Sequence, residues 1–317
     1  MTSKTTELKI GGYIMCTSLT VPSYSNEQLL GRTMDFPTKT PWRLTYLPVN
    51  FEWQPVTGTT KYQSKFAVLG GMRHIQDWYL IGDGVNSAGL SVAELYFPVE
   101  SNYYDAPVEG KINLSPQDFT TWLLTQNGTV KEIRAKLAQI ALIGVQWYDN
   151  EAIYPFHWII TDASGTYIIE PTDHLLTLRE NPSNVLTNTP NLDKQLTNLK
   201  KLMKTDFTAW NSIRSSLANY TGPTPNRSIT TDRFIKTNLW RWRDSRNLTI
   251  NSTTVTDFLK TVTIPKRNDN HDYTHYYGVM NLNAQEYRFE GVLHPVVTIA
   301  NLSDLMTYDV PVELAEE

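Results

Sequence analysis

Short stretches in which apolar and polar residues alternate dominate the first third of the chain, and this period of two predicts β-strands. Turn-forming residues separate the stretches, most clearly Pro22-Ser23-Tyr24-Ser25-Asn26. The segment from Asp83 to Gly89 predicts a turn-rich connection rather than a strand. The predicted strands cover residues 16–21, 29–36, 42–48, 66–71, 78–81 and 90–97.

The pattern becomes helical after Ser115-Pro116, which supplies an N-cap serine and a proline at the first helical position. Asn127-Gly128 is predicted to end this helix, and Thr129 with Glu132 forms a capping box for a second one. Apolar residues recur with helical spacing in three later stretches, at 192–203, 234–242 and 254–262.

Strands are predicted again towards the C-terminus, and Asp162-Ala163-Ser164-Gly165 is a strong hairpin signal. Strands, paired helices and strands again predict an α+β fold, with helices packed on largely antiparallel sheets. Because no linker or repeat interrupts the pattern, we predict one domain over residues 16–317, preceded by a polar leader or alternative start at 1–15. The later strands are predicted at 156–161, 166–170, 175–179, 184–187, 274–282, 286–293 and 296–300.

Composition narrows the classes of function. The 317 residues are 40% hydrophobic and 11% aromatic, which is enough apolar side chain for a well-buried core. A net charge of −4, with acidic and basic residues interspersed, gives no reason to expect nucleic acid or an anionic membrane surface as a partner. No stretch is apolar for long enough to span a bilayer, and the first 14 residues lack a secretion-type apolar segment, so we predict a cytoplasmic protein.

Cys16 is the single cysteine of the chain, which excludes an intramolecular disulfide and a multi-thiolate metal site. A lone cysteine is more often a small buried apolar residue than a catalyst. Removal of residues 1–15, or a start at Met15, would however leave a thiol and a free α-amino group on one residue. That amine has an ordinary pKa of roughly 7.7–8.0 and can act as a base towards the thiol. Burial and a nearby arginine are expected to lower the pKa of the thiol.

A hairpin centred near Ser25 would place Cys16 opposite Asp35. Arg32 and Asp35 are an odd number of positions apart, so on a regular strand their side chains point to opposite faces. Both side chains can reach Cys16 only if the strand bulges or has ended by Asp35.

A series of short motifs follows in a fixed order along the chain. They are Cys16-Thr-Ser-Leu-Thr20, Gly31-Arg-Thr-Met-Asp-Phe36, Asp83-Gly-Val-Asn-Ser-Ala-Gly-Leu90, Ala93-Glu-Leu-Tyr96, Thr161-Asp-Ala-Ser-Gly165 with Ile169-Glu-Pro171, Leu186-Thr-Asn-Thr-Pro190 and Thr231-Asp-Arg-Phe234. Together they resemble the choloylglycine hydrolase family, which contains penicillin V acylases and conjugated bile-salt hydrolases. The resemblance runs from Cys16 to at least Ala300, and the shared order makes it specific although each motif alone is weak.

The resemblance implies the four-layer αββα sandwich of N-terminal-nucleophile hydrolases, assembled as a homotetramer and working without a metal or other cofactor. It implies that Cys16 is the nucleophile and its α-amine the base, and that Arg32 and Asp35 orient and polarise the thiol and the amine. Asn188 would donate its side-chain amide to the oxyanion, and Arg233 would sustain positive potential around the cysteine. A preorganised amide donor at an oxyanion is worth roughly 3–4 kcal/mol.

Tyr96 is the position that bears on the substrate. Family members that act on bile salts commonly have asparagine at the matching position, whereas penicillin V acylases commonly have tyrosine. The resemblance implies that the Tyr96 backbone N–H is a second oxyanion donor and that its ring shapes the acyl pocket. We therefore predict a penicillin V-type acyl amide as the substrate. The alternatives are a conjugated bile salt, an N-acyl homoserine lactone, and a non-catalytic relative that only binds amides.

Two other patterns receive structural interpretations. His271 and His275 are four positions apart but have no convincing third ligand, so no metal site is predicted. Trp240-Arg-Trp-Arg243 has helical spacing and is predicted to place its tryptophans in the core and its arginines in solvent.

Overall fold

The structure, a computed structural model, describes residues 16–36, 40–206, 208–266 and 273–317. Most of these residues belong to two large antiparallel sheets and the helices that cover them. The strands in chain order are β1 (Thr17–Pro22), β2 (Gln28–Met34), β3 (Arg43–Leu47), β4 (Glu52–Trp53), β5 (Tyr62–Gln63), β6 (Val68–Ile75), β7 (Trp78–Ile81), β8 (Asp83–Asn86), β9 (Ser91–Tyr96), β10 (Ile112–Leu114), β11 (Ile140–Leu142), β12 (Phe156–Asp162), β13 (Gly165–Ile169), β14 (Leu178–Glu180), β15 (Val185–Thr187), β16 (Tyr276–Asn281), β17 (Glu286–Gly291), β18 (Val297–Asn301) and β19 (Val312–Glu316).

Two sheets form the centre of the molecule. The first has the order β15-β1-β2-β16-β17-β18, so that β1 lies between β15 and β2. The second has the order β14-β13-β12-β9-β8-β6-β3-β19, with β7 also paired to β6. The sheets face each other where β8 contacts β16 and β17.

Helices cover the outer face of each sheet. The helices are α1 (Pro116–Gln126), α2 (Val130–Lys136), α3 (Leu192–Met203), α4 (Trp210–Ala218), α5 (Thr230–Leu239), α6 (Ser252–Lys260) and α7 (Leu302–Leu305). α5 and α6 pack on the first sheet, and α1 packs on the second. The result is the predicted α+β arrangement of four layers, helix, sheet, sheet and helix, because each sheet buries its inner face against the other and its outer face under helices.

Predictions that rest on local signals are confirmed. Ser115 caps α1, accepting from the Asp118 backbone N–H, while the Asp118 carboxylate accepts from the Ser115 N–H. Strands β12 and β13 form the predicted hairpin, with Asp162 opposite Gly165. At the start of α2 the predicted capping box is only half formed, because the Glu132 carboxylate accepts from the Gly128 N–H rather than from Thr129.

Three predictions are wrong where distant partners decide the outcome. Residues 83–86 are not a turn but strand β8, held between β6 and β9. Strand β19 was not predicted. It lies near the end of the chain and pairs with β3, which lies near the beginning. Residues 240–244 form one π-helical turn, and Arg241 does not point freely into solvent but donates from Nε to the Thr20 carbonyl at 2.7 Å.

Candidate active site

Cys16 lies at the entrance of β1, in the middle of the first sheet. Thr17 is opposite Thr187 on one side and opposite Thr33 on the other. Continuing both registers by one residue makes Asn188 and Met34 level with Cys16. The predicted pairing of Cys16 with Asp35 is therefore wrong by one position. β2 ends at Met34, so Asp35 lies just beyond the strand, which was one of the two conditions for Arg32 and Asp35 to reach the same cysteine.

Arg32 contacts the thiol directly. It is opposite Ser18, two residues from Cys16, so the side chains of Arg32 and Cys16 share the face that looks towards the second sheet. Arg32 Nη2 lies 3.4 Å from Cys16 Sγ, and both residues are buried.

Asp83 holds Arg32 in this position, a role that sequence analysis missed. Arg32 Nη1 donates to Asp83 Oδ2 at 2.9 Å, and both side chains are fully buried. The same carboxylate accepts from the hydroxyls of Tyr276 and Tyr287, at 2.5 and 2.6 Å, and from the backbone N–H of Gly71 at 3.2 Å. Four donors satisfy this buried carboxylate and fix the position of its partner Arg32. Asp83 is the first residue of the motif at residues 83–90. That motif was the one signal in the sequence that could have indicated a role for Asp83 in the site.

Asp35 is buried and only partly hydrogen bonded. Its Oδ2 accepts from the Thr33 hydroxyl at 3.1 Å, whereas Oδ1 has no hydrogen-bond partner among the described residues. Burial raises the pKa of Asp35 to about 6, against the lowering effects of Arg233, the hydroxyls of Thr274 and Thr33, and Arg32. The unpartnered oxygen is therefore an acceptor suited to a nearby cation.

Arg233 reaches the site from α5, on the other face of the first sheet. Its Nη1 donates to the Cys16 carbonyl at 2.8 Å and also to the Thr17 hydroxyl. Its Nη2 donates to Asn188 Oδ1 at 3.1 Å. Arg233 thus ties the cysteine backbone to the neighbouring strand and fixes which end of the Asn188 amide is the donor.

The Asn188 amide nitrogen and Tyr96 meet between the two sheets. Asn188 Nδ2 donates to the Tyr96 carbonyl at 2.8 Å. The next residue, Phe97, donates its N–H to Pro155 at 2.7 Å, on the side of β12. Because successive residues of a strand direct their N–H and C=O groups to opposite sides, the N–H and C=O of Tyr96 both point away from β12, on the side of Asn188.

An aromatic cluster adjoins these groups. The Phe36 ring follows Asp35 directly, and its centroid lies 6.0 Å from Tyr96, 4.7 Å from Tyr154 and 5.8 Å from Phe156. Tyr96 is partly exposed and the other three are buried. These rings come from three separate parts of the chain and pack around Phe36, the residue that follows Asp35.

The environment of the Cys16 thiol favours its protonated form. Burial raises the pKa of Cys16 above its ordinary value, and Asp35 raises it further, although Arg32, the Asp35 backbone N–H and Arg233 act in the opposite direction. The expected lowering of this pKa is therefore wrong in sign, because the desolvation of a thiolate outweighs one adjacent guanidinium. A nucleophile at this position needs a base beside it.

The described ranges contain no group of three His, Cys, Asp or Glu side chains placed to hold a metal ion. His271, one of the two histidines considered above, lies outside the described residues. Within the same ranges, no helix has both the length and the hydropathy needed to cross a membrane.

Comparison with known proteins places these features in a family. A family model described as linear amide C–N hydrolases, choloylglycine hydrolase family, matches residues 16–309. The bile salt hydrolase/transferase of Clostridium perfringens is 30% identical over 188 residues, which are 59% of this chain and 57% of that relative. The matched part is thus little more than half of the relative's length.

Solved structures share the fold. A variant of conjugated bile acid hydrolase from Clostridium perfringens superposes with a TM-score of 0.82 at 23% identity, covering 95% of this chain and 97% of that one. Penicillin V acylase from Agrobacterium tumefaciens gives a TM-score of 0.71 at 23% identity, covering 92% and 87%. These neighbours confirm the predicted αββα fold of N-terminal-nucleophile hydrolases. The chain belongs to the linear amide C–N hydrolases of the choloylglycine hydrolase family.

Proposed function

We propose that the protein is a cysteine amidohydrolase in which Cys16, freed of residues 1–15, attacks the carbonyl carbon of a linear acyl amide. The observation that carries the proposal is that three side chains converge on the buried residue Cys16. Arg32 contacts its sulfur, Arg233 donates to its backbone carbonyl, and Asn188 is level with it on the next strand. The raised pKa of the thiol is consistent with this chemistry, since an α-amine on the same residue supplies the missing base.

In the first half of the reaction, the α-amine takes the thiol proton and the sulfur bonds to the amide carbon. The electron pair of the carbonyl moves to oxygen, where the Asn188 amide and the Tyr96 N–H donate to the oxyanion. The amide nitrogen of Asn188 carries two hydrogens, so one can serve the oxyanion while the other serves the Tyr96 carbonyl. The C–N bond then breaks, and the α-ammonium gives its proton to the leaving amine.

In the second half, a water molecule loses a proton to the α-amine and attacks the thioester. The C–S bond breaks, the carboxylic acid leaves, and the thiol recovers its proton from the α-ammonium. Asp35 is positioned to support the ammonium form in both halves, because its Oδ1 is buried without a partner among the described residues.

The pH dependence tests the role of Asp35. The carboxylate can stabilise the α-ammonium only when ionised, so kcat/KM should fall as the pH drops through the pKa of Asp35, about 6, in addition to the fall caused by protonation of the α-amine itself at roughly pH 7.7–8.0. Asp35→Asn should lower kcat/KM throughout and remove the step near pH 6, leaving only the step of the α-amine. A pH profile of kcat/KM for both proteins, with folding checked by circular dichroism, makes the comparison. If the pH profile on the acid side is unchanged in Asp35→Asn, the fall of kcat/KM near pH 6 belongs to another titrating group.

An aromatic acyl amide of the penicillin V type is the substrate that the site supports best. The partly exposed Tyr96 ring, which packs against the buried Phe36 ring, offers an aromatic surface to a phenoxy group, and aromatic pairs add about 0.5–1.5 kcal/mol beyond the area that they bury. Conjugated bile salts are the second candidate, because the 30%-identical Clostridium perfringens relative bears the name bile salt hydrolase/transferase.

Parallel assays separate the two substrates. We expect release of phenoxyacetate from penicillin V with a kcat/KM at least tenfold above that for release of cholate from glycocholate. Tyr96→Asn should lower kcat/KM for penicillin V more than kcat/KM for glycocholate, since it removes one aromatic ring but keeps the backbone N–H. The ratio of the two kcat/KM values should therefore decrease. Good glycocholate hydrolysis without turnover of penicillin V would reverse the ranking while leaving the amidohydrolase proposal intact.

A further inference from the structure

Two arginines lie against one tryptophan on the helical side of the first sheet, away from the cysteine. The guanidinium carbon of Arg241 is 4.1 Å from the centre of the Trp242 ring, and that of Arg214, from α4, is 5.6 Å from the same ring. Because both guanidinium groups lie on one indole, each is within range of the other's charge, and this repulsion is unfavourable unless something offsets it.

Arg241 is the more enclosed of the two. Its Nε donates to the Thr20 carbonyl at 2.7 Å, which holds the guanidinium beside β1. Burial, together with the charge of Arg214, lowers the pKa of Arg241 to about 10. Both influences oppose the charged form.

The counter-charge that would normally accompany such a pair is missing from the described part of the chain. Neither Arg214 nor Arg241 forms an ion pair with a carboxylate in the described ranges, whereas Arg243, two positions along, pairs with Asp244 at 2.6 Å. An enclosed cation without a counter-ion is costly, and such groups are ordinarily paired.

The indole platform is itself fixed. Trp242 Nε1 donates to the Ser183 carbonyl at 2.9 Å, and the Trp210 ring meets Trp242 edge-on at 5.8 Å. The ring on which both guanidinium groups lie is therefore fixed in position.

We propose that Arg214 and Arg241 form a binding site for a phosphate-class oxyanion, either free phosphate or a phosphate monoester. Each guanidinium presents a planar fork of N–H donors that matches two oxygens, and a dianion can accept from both forks at once. Bound there, the anion offsets the repulsion between the two arginines. The site shares no residue with the proposed catalytic group, although Arg241 is bonded to the strand that begins beside Cys16.

Titration of the purified protein with inorganic phosphate, and separately with phenyl phosphate, tests the site. Isothermal calorimetry at constant ionic strength should show saturable binding of inorganic phosphate, phenyl phosphate or both. Whichever ligand binds more tightly tells whether the site takes free phosphate or a phosphate monoester. The Tm should rise by about 2 °C or more at saturation, and chloride should not reproduce this rise.

Arg214→Gln is the main variant, because this side chain is exposed and its loss should leave the fold intact. It should weaken phosphate binding at least tenfold. In anion-free buffer its Tm should equal or exceed that of the unmodified protein, since the repulsion is gone, whereas loss of a purely structural arginine would lower the Tm. Arg241→Gln should abolish binding.

Arg246→Gln is the matched control. Arg246 is an exposed arginine of the same segment that donates to the Ala218 carbonyl and lies on no ring among the described residues. This variant should bind phosphate like the unmodified protein. Equal binding by Arg214→Gln and Arg246→Gln, or no saturable binding of either ligand, would overturn the proposal.

Discussion

Cys16→Ser is expected to lower kcat at least about 10³-fold on any acyl amide that the protein hydrolyses, while leaving its fold intact. The physical reason is the nucleophile. An alcohol is far harder to deprotonate than a thiol, and the burial that already raises the pKa of the Cys16 thiol would act equally on an alkoxide. The measurement is kcat and KM on the preferred substrate, with the Tm as a check of folding.

Ser18→Ala is the matched control for this substitution. Ser18 lies two residues further along β1 with its side chain on the same face, and its hydroxyl is buried without a partner in the described part of the structure. Its removal should retain most of the activity. Turnover by Cys16→Ser comparable to that of Ser18→Ala would mean that the thiol is not the nucleophile. If the protein only binds amides, neither substitution should change substrate affinity and no turnover should be seen.

Blocking the α-amine of Cys16 is expected to have an effect as large as removing the thiol. The amine is the proposed base, and an amide nitrogen cannot replace it because an amide does not accept a proton near neutral pH. A chain that starts at Met15 should lose that methionine, begin at Cys16 and be active. A chain with one glutamate inserted between Met15 and Cys16 should keep its N-terminus, fold normally and be inactive.

Intact mass and activity must be read on the same samples. The chain that starts at Met1 should be active only in proportion to the fraction whose mass corresponds to residues 16–317. The inserted-glutamate protein should have a Tm close to that of the active form, which separates lost chemistry from lost folding. Full activity in a protein whose mass shows residues still attached to Cys16 would eliminate the N-terminal-nucleophile mechanism.

Local structure was predictable wherever a signal and its consequence lie close together in the chain. Ser115 caps α1 because its side chain reaches a backbone N–H three residues away, and the hairpin at 162–165 closes through its own turn residues. The register of β1 on β2 was wrong by one position. A sequence pattern locates a turn, but the hydrogen bonds of the whole ladder decide which residues face each other.

Asp83 shows most clearly what a local sequence pattern does not predict. Its neighbours read as turn-forming residues, yet it begins a strand because β6 and β9 bind it on both sides. Its role depends on Tyr276, Tyr287 and Arg32, which approach from the other sheet. No local pattern contains that information, since these three partners of Asp83 are 51, 193 and 204 residues away along the chain.

The sequence by itself determined the α+β class and most helices and strands, and the resemblance carried by the order of its motifs predicted the set Cys16, Arg32, Asp35, Tyr96, Asn188 and Arg233. Tertiary structure alone decided how these residues act on one another. It set the register of β15 on β1 that makes Asn188 level with Cys16, and the enclosure that raises the pKa of the thiol. The reason is that composition fixes which groups are present, whereas desolvation and hydrogen bonding depend on what the folded chain brings around them.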